Sequence, residues 1–146
     1  MMTFLPYEDF YKSAKSLDYK RLGKQRSEAY YILKILNNEW GGKGWVNHPA
    51  VKMWVGCNEM LKLYFNVMVI EWVDRGYNNN YELFKIDESK LISPWWLGNK
   101  DFHRAMRSRL IEKNRGFYLD KFSNDDGFND GKYLWPVNET KTFRII

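Results

Sequence analysis

Apolar residues recur at helical spacing through much of this chain, and the pattern predicts a mostly helical fold. Residues 9–14 suit a short helix, and residues 17–36 a long one despite Gly23, because Leu22, Ala29, Leu33 and Leu36 are spaced by seven, four and three. The stretch NNEWGGKGWVNHP, rich in Gly and closed by Pro49, breaks the pattern. Pro49 suits the first turn of a second helix reaching about Arg75, with Gly76 as its C-terminal stop. That segment, AVKMWVGCNEMLKLYFNVMVIEWVDR, is apolar around most of its circumference and reads as the buried central helix. After the turn SPWWLGNK a third helix is expected over residues 101–115. From Gly116 onward Gly, Asp and Asn are frequent, which predicts loops with at most a short strand. The expected class is all-α: residues 1–146 as one domain, a bundle of three main helices with irregular loops and C-terminal segment.

Among the aromatics, Trp54, Tyr64 and Trp72 fit a packed helix interior. Trp95 and Trp96 follow Pro94, where one plugs the core under a loop or stands exposed for stacking. Cys57, inside the apolar helix, reads as inert.

Composition narrows the function classes. Hydrophobic residues make up 45% and aromatics 18%, which argues for a folded globule rather than a disordered chain. No apolar run approaches the roughly 18 to 20 residues of a membrane span, so no membrane partner is expected. MMTFLPYEDF lacks the layout of a signal peptide, so the protein is expected to stay inside the cell, in the cytoplasm. One Cys and two His argue against a dedicated zinc site, and no metal or other cofactor is expected. A net charge of +5 favours a polyanionic partner.

The charge is concentrated on helices. Asp18, Arg21, Gln25 and Glu28 lie three, four and three residues apart, so they share one stripe, flanked by Lys20, Lys24 and Arg26. Such a stripe suits a phosphate-contacting site with an acid or amide at its centre. The same spacing also suits a solvated face carrying ion pairs such as Lys24–Glu28. The third helix repeats the theme in FHRAMRSRLIEKNRGFY, where Arg104, Arg107, Arg109, Lys113 and Arg115 surround an apolar side of Phe102, Met106 and Leu110. Phe117 and Tyr118 follow, and flat rings stack on unpaired bases where guanidinium groups grip phosphates. A basic surface helix followed by core aromatics reads equally well. His48 heads its helix as a cap or a phosphate contact, and His103 offers the same two choices.

TFLPY, LDYKRLGKQR, HPAVKMW and the segment FHRAMRSRLIEKNRGFY together resemble the pyrimidine-dimer DNA glycosylase family, the endonuclease V-like enzymes, and in particular its bacterial and viral branch. The resemblance implies a DNA repair glycosylase with AP-lyase activity on damaged or modified pyrimidines in double-stranded DNA, acting as a monomer in a bacterial cytoplasm or nucleoid or in a phage-infected cell. In that family the free α-amine at the chain start attacks C1′ of the damaged nucleotide. The base leaves, a Schiff base forms, and β-elimination cuts the strand. An α-amine, with an ordinary pKa of about 7.7 to 8.0, is a better nucleophile near neutral pH than a lysine.

Carried onto this chain, the resemblance makes Thr3 the nucleophile of a chain processed to that residue, and Met2 its alternative start. The family's catalytic Glu falls at Gly23 or Gln25 when the basic clusters are aligned, with Glu28 one turn further along the same face. A Gln can bind but cannot act as a carboxylate base, so Glu28 is the preferred acid. The expected DNA contacts are Arg21, Lys24, Arg26, His48, His103, Arg104, Arg107, Phe117 and Tyr118. The five Arg and Lys of this set should face one concave surface between the first and third helices. Two further readings remain: a catalytically inactive DNA-binding module of the same fold, and an interaction protein with a basic surface.

Overall fold

The computed structural model describes residues 1–145. Six α-helices carry the fold: α1 (Phe10–Ser16), α2 (Tyr19–Leu36), α3 (Pro49–Lys52), α4 (Asn58–Asp74), α5 (Lys100–Lys113) and α6 (Arg115–Tyr118). Three of them are long, as the apolar periodicity requires. The all-α expectation needs one correction: β1 (Leu134–Val137) and β2 (Thr142–Ile145) pair as an antiparallel hairpin, with Trp135 opposite Arg144 and Pro136 opposite Phe143. No helix among the described residues is long and apolar enough to cross a membrane.

Helix boundaries follow local chemistry. Asp9 caps α1 by accepting the Lys12 N–H at 2.7 Å. Asp18 stands at the N-cap of α2 without capping it, because its carboxylate is spent on the Tyr118 hydroxyl and on Arg21. The single helix expected from Pro49 to Arg75 is divided: Gly56, at φ +83°, takes the left-handed region that ends one turn and releases the chain before α4. The third helix likewise ends early, at Lys113, because Asn114 leaves helical geometry and caps α6 instead.

Helices α2 and α4 form the centre of the bundle. Gly23 is tolerated mid-helix because a Cβ there would stand 3.0 Å from the Trp72 ring, so its absence permits close approach. Trp54 and Tyr64 are fully buried, as expected, whereas Trp72 is half-buried. Trp96 is the buried plug, packed edge-on against Trp54 at 5.0 Å, and Trp95 is only partly covered. Cys57 is a buried thiol whose pKa burial pushes up.

The chain start belongs to this core. Met2, Thr3, Phe4 and Leu5 are all buried, threaded between α2, α4 and α5. Burying Phe4 and Leu5 contributes roughly 1.5–3 kcal/mol each, enough to hold a terminus that would otherwise fray.

Candidate active site at the chain start

Five side chains fasten residues 3–6 in place. Gln25 Oε1 accepts the Phe4 N–H at 2.8 Å. The Tyr64 hydroxyl stands 2.7 Å from Phe4 O and 2.8 Å from Gln25 Oε1, so its single proton serves one or the other. Trp54 Nε1–H donates to Thr3 Oγ1 at 3.0 Å. Arg107 reaches Pro6 O at 2.7 Å. His103 completes the set. Its Nε2 accepts the Gly98 N–H at 2.9 Å, so Nδ1 carries the proton and donates to Leu5 O at 2.8 Å. Burial lowers its pKa, more than the Leu5 carbonyl raises it.

This anchorage brings the chain start against the polar stripe of α2. The Met2 N–H donates to Glu28 Oε2 at 2.9 Å, and Gln25 Nε2 lies 3.5 Å from the same oxygen. Met1, Met2 and Glu28 line a cavity of about 370 Å³ whose other walls carry Arg21 and Lys24 from α2, Arg109 and Lys113 from α5, and His48, Tyr133 and Trp135. A carboxylate therefore sits beside the Met2 nitrogen within a ring of cations.

The electrostatics match that layout. Burial lowers the Lys113 pKa, and Arg109, Arg21 and Lys24 lower it further by like-charge repulsion. Cations held this close are relieved by an arriving anion. Arg109 Nε is buried without a hydrogen-bond partner among the described residues, its guanidinium 5.6 Å from the Tyr133 ring centre. Burial pushes the Tyr133 hydroxyl up to about 12 against the opposing pull of Arg109. Burial lowers the His48 pKa, and the positive chain-start amine lowers it further. His48 also caps α3 through Nδ1, which accepts the Ala50 N–H at 3.0 Å, so it fills the capping place and lines the cavity too.

A larger groove of about 720 Å³ adjoins the cavity and shares Arg21 and Lys113 with it. Its walls include Tyr19, Lys20, Arg75, Tyr77 and Phe117. Phe117 is 39% exposed there, open to a stacking partner.

Other residues are placed differently from expectation. The five cations do not share one concave surface. Arg21 and Lys24 line the cavity, but Arg26 lies over the Trp72 ring at 4.2 Å and bonds Asn79 at 2.7 Å. Arg104 and Arg107 converge on Asp125 at 2.9 and 2.7 Å, a clamp in which two guanidinium groups share one carboxylate away from the cavity lining. Tyr118 is buried, donating its hydroxyl to Asp18 and accepting the Asp18 N–H at 2.8 Å, so its ring is unavailable to a base. His103 is buried with both ring nitrogens engaged, which makes it an anchor. Gln25 is buried as well and holds Phe4. Thr3 is buried, its hydroxyl facing Trp54.

Arg109, Lys113 and Tyr133 line the site without having been singled out for it. Arg109 and Lys113, four apart on the basic helix, carried a usable signal, since i,i+4 cations share a face. Tyr133 arrives through the hairpin, whose docking no local pattern encodes.

Residues 1–85 match the model of the family described as pyrimidine dimer DNA glycosylase. That span contains Met1, Met2, Arg21, Lys24, Gln25, Glu28 and His48, and ends before α5. No curated protein and no solved structure matches the chain.

Proposed function

The chain belongs to the pyrimidine dimer DNA glycosylase family, and from that premise we propose that it is a DNA repair glycosylase with AP-lyase activity whose nucleophile is the α-amine of the mature chain start. The observation that carries the reading is the 2.9 Å contact between the Met2 nitrogen and Glu28 Oε2 inside the cationic cavity. The residue-2 nitrogen marks the place of the chemistry. The Met1 amine is one residue away, and a chain beginning at Met2 has its amine at the carboxylate itself. Thr3 acts as an anchor through Trp54, and as the nucleophile only where both preceding residues are removed.

Attack requires the amine within about 3 to 3.5 Å of C1′, in its neutral form. The nitrogen lone pair forms the N–C1′ bond, the glycosidic bond breaks, and the base leaves with the electron pair and then takes a proton. Glu28 is suited to accept the proton shed by the amine and to offset the positive charge developing at the sugar. The sugar ring then opens as the C1′–O4′ bond breaks and O4′ takes up a proton, which leaves the iminium at C1′. Removal of a C2′ proton expels the 3′ phosphate, and water hydrolyses the imine to release the amine. Arg21, Lys24, Arg109 and Lys113 hold the phosphates on either side, and the groove bearing Phe117 extends the contact along the strand.

Blocking the amine tests this. Reductive methylation limited to the α-amine, or a short N-terminal extension, should abolish cleavage of an abasic duplex while leaving duplex affinity within about threefold. Full cleavage by the blocked protein would overturn the reading and turn attention to Lys20 or Lys24. Binding without cleavage by the unblocked protein would mark an inactive DNA-binding module.

A further inference from the structure

A second hollow of about 320 Å³ shares Met1, Lys24 and Glu28 with the cationic cavity, but its remaining walls have different chemistry. Around α2, residues 21 and 25 fall on one side of the Lys24–Glu28 row, and residues 23, 27 and 31 on the other. The first side meets Arg109 and Lys113. The second meets Tyr31 and Trp45. Anionic and apolar halves of a ligand would therefore separate across Glu28.

Trp45 is built for exposure. The residue is 49% exposed, uncommon for so large an apolar residue, and its backbone is held at φ +71° in the left-handed region. Neighbouring contacts fix the loop in that shape. Trp40 stacks on Trp45 with ring centres 6.0 Å apart and 24° between planes, Trp40 Nε1–H donates to Gly44 O at 3.2 Å, and the His48 N–H donates to Trp45 O at 2.9 Å. A strained non-glycine position retained by its surroundings at the rim of a reaction site is a recognised sign of function.

We propose that Trp45, with Tyr31, forms a stacking subsite for an unpaired nucleobase at the reaction centre. This rests on the glycosylase reading, because a glycosylase must hold C1′ between a phosphate and the base that will leave. The phosphate lies with Arg21, Lys24, Arg109 and Lys113, the sugar over Glu28 and the chain start, and the base against the indole. Stacking accepts any flat base, so Trp45 favours an extruded nucleotide over a paired one without selecting its identity.

The test compares Trp45→Ala and Trp45→Phe with the parent protein on three duplexes: fully paired, with one bulged 2-aminopurine, and with an abasic site that has no base to stack. Trp45→Ala should weaken binding of the bulged duplex about 5- to 150-fold, the range of one lost base–aromatic stack. It should remove the quenching of 2-aminopurine fluorescence that the parent protein produces. Trp45→Phe should restore affinity to within about threefold, and affinity for the paired and abasic duplexes should change less than about twofold. An equal loss on all three duplexes, or unchanged affinity for the bulged one, overturns the subsite. Borohydride trapping of each protein on the abasic duplex separates the two ideas. No adduct with the parent protein defeats the lyase reading, while the 2-aminopurine comparison still decides the subsite.

Discussion

Gln25→Ala strikes the anchorage of the chain start. The side chain is 1% exposed, and its Oε1 accepts the Phe4 N–H at 2.8 Å with the Tyr64 hydroxyl at the same distance. Tyr64 retains Phe4 O as an alternative acceptor at 2.7 Å, but the Phe4 N–H, inside the core, loses its partner. A buried donor left unsatisfied costs about 1–3 kcal/mol, and the emptied volume adds about 1 kcal/mol, for roughly 2–4 kcal/mol in all. At about 2–4 °C per kcal/mol for a chain of this size, Tm should fall by roughly 5–15 °C. Urea unfolding should give the same loss of stability, and a change below about 1 kcal/mol would refute the assigned role. Well below the melting range, single-turnover cleavage of an abasic duplex should drop about 100-fold, because an unmoored terminus cannot keep its attack geometry. Duplex affinity should stay within about threefold, since Gln25 brings no charge to the phosphates.

Three further outcomes follow from the same geometry. Glu28→Gln keeps an acceptor for the Met2 N–H but no base, so cleavage should fall about 10²- to 10⁴-fold with Tm moving less than about 3 °C; cleavage within threefold of the parent would show that Glu28 is not the acid. His103 has its pKa lowered by burial, so the stability it contributes is fully present above its ordinary value of about 6.5 and is lost as pH falls toward the folded value. Urea melts of the parent protein and His103→Gln between pH 4.5 and 7.5 should therefore converge toward the acid end. Lys113→Ala should weaken duplex binding and lower the salt slope by about one, whereas Arg104→Ala, which breaks a contact to Asp125, should lower Tm and leave the slope unchanged.

Periodicity located the long helices because their apolar faces are local information. Leu22, Ala29 and Leu33 line the buried face of α2, as their spacing requires. What it missed depends on contacts between distant residues. Between Lys52 and Asn58 a turn with Gly56 in the left-handed region interrupts an otherwise apolar segment, and composition alone does not reveal that. The stripe of Asp18, Arg21, Gln25 and Glu28 was visible in the sequence. The division of labour within the stripe was not. Asp18 turns to Tyr118, a hundred positions away, and Gln25 to the backbone of Phe4, leaving Glu28 beside Met2. The cations show the same limit. Arg104 and Arg109 look equivalent in sequence, but Asp125 claims the first while the second enters the cavity.

The reactive nitrogen can be read directly by borohydride trapping on an abasic duplex, followed by nuclease and protease digestion and mass mapping of the reduced adduct. The sugar remnant should be found on the α-nitrogen of the N-terminal peptide, at whichever residue begins the mature chain, and Glu28→Gln should yield little adduct. An adduct on the Nζ of Lys20, Lys24 or Lys113, or none from a protein that cuts the duplex, would contradict the amine-and-Glu28 site.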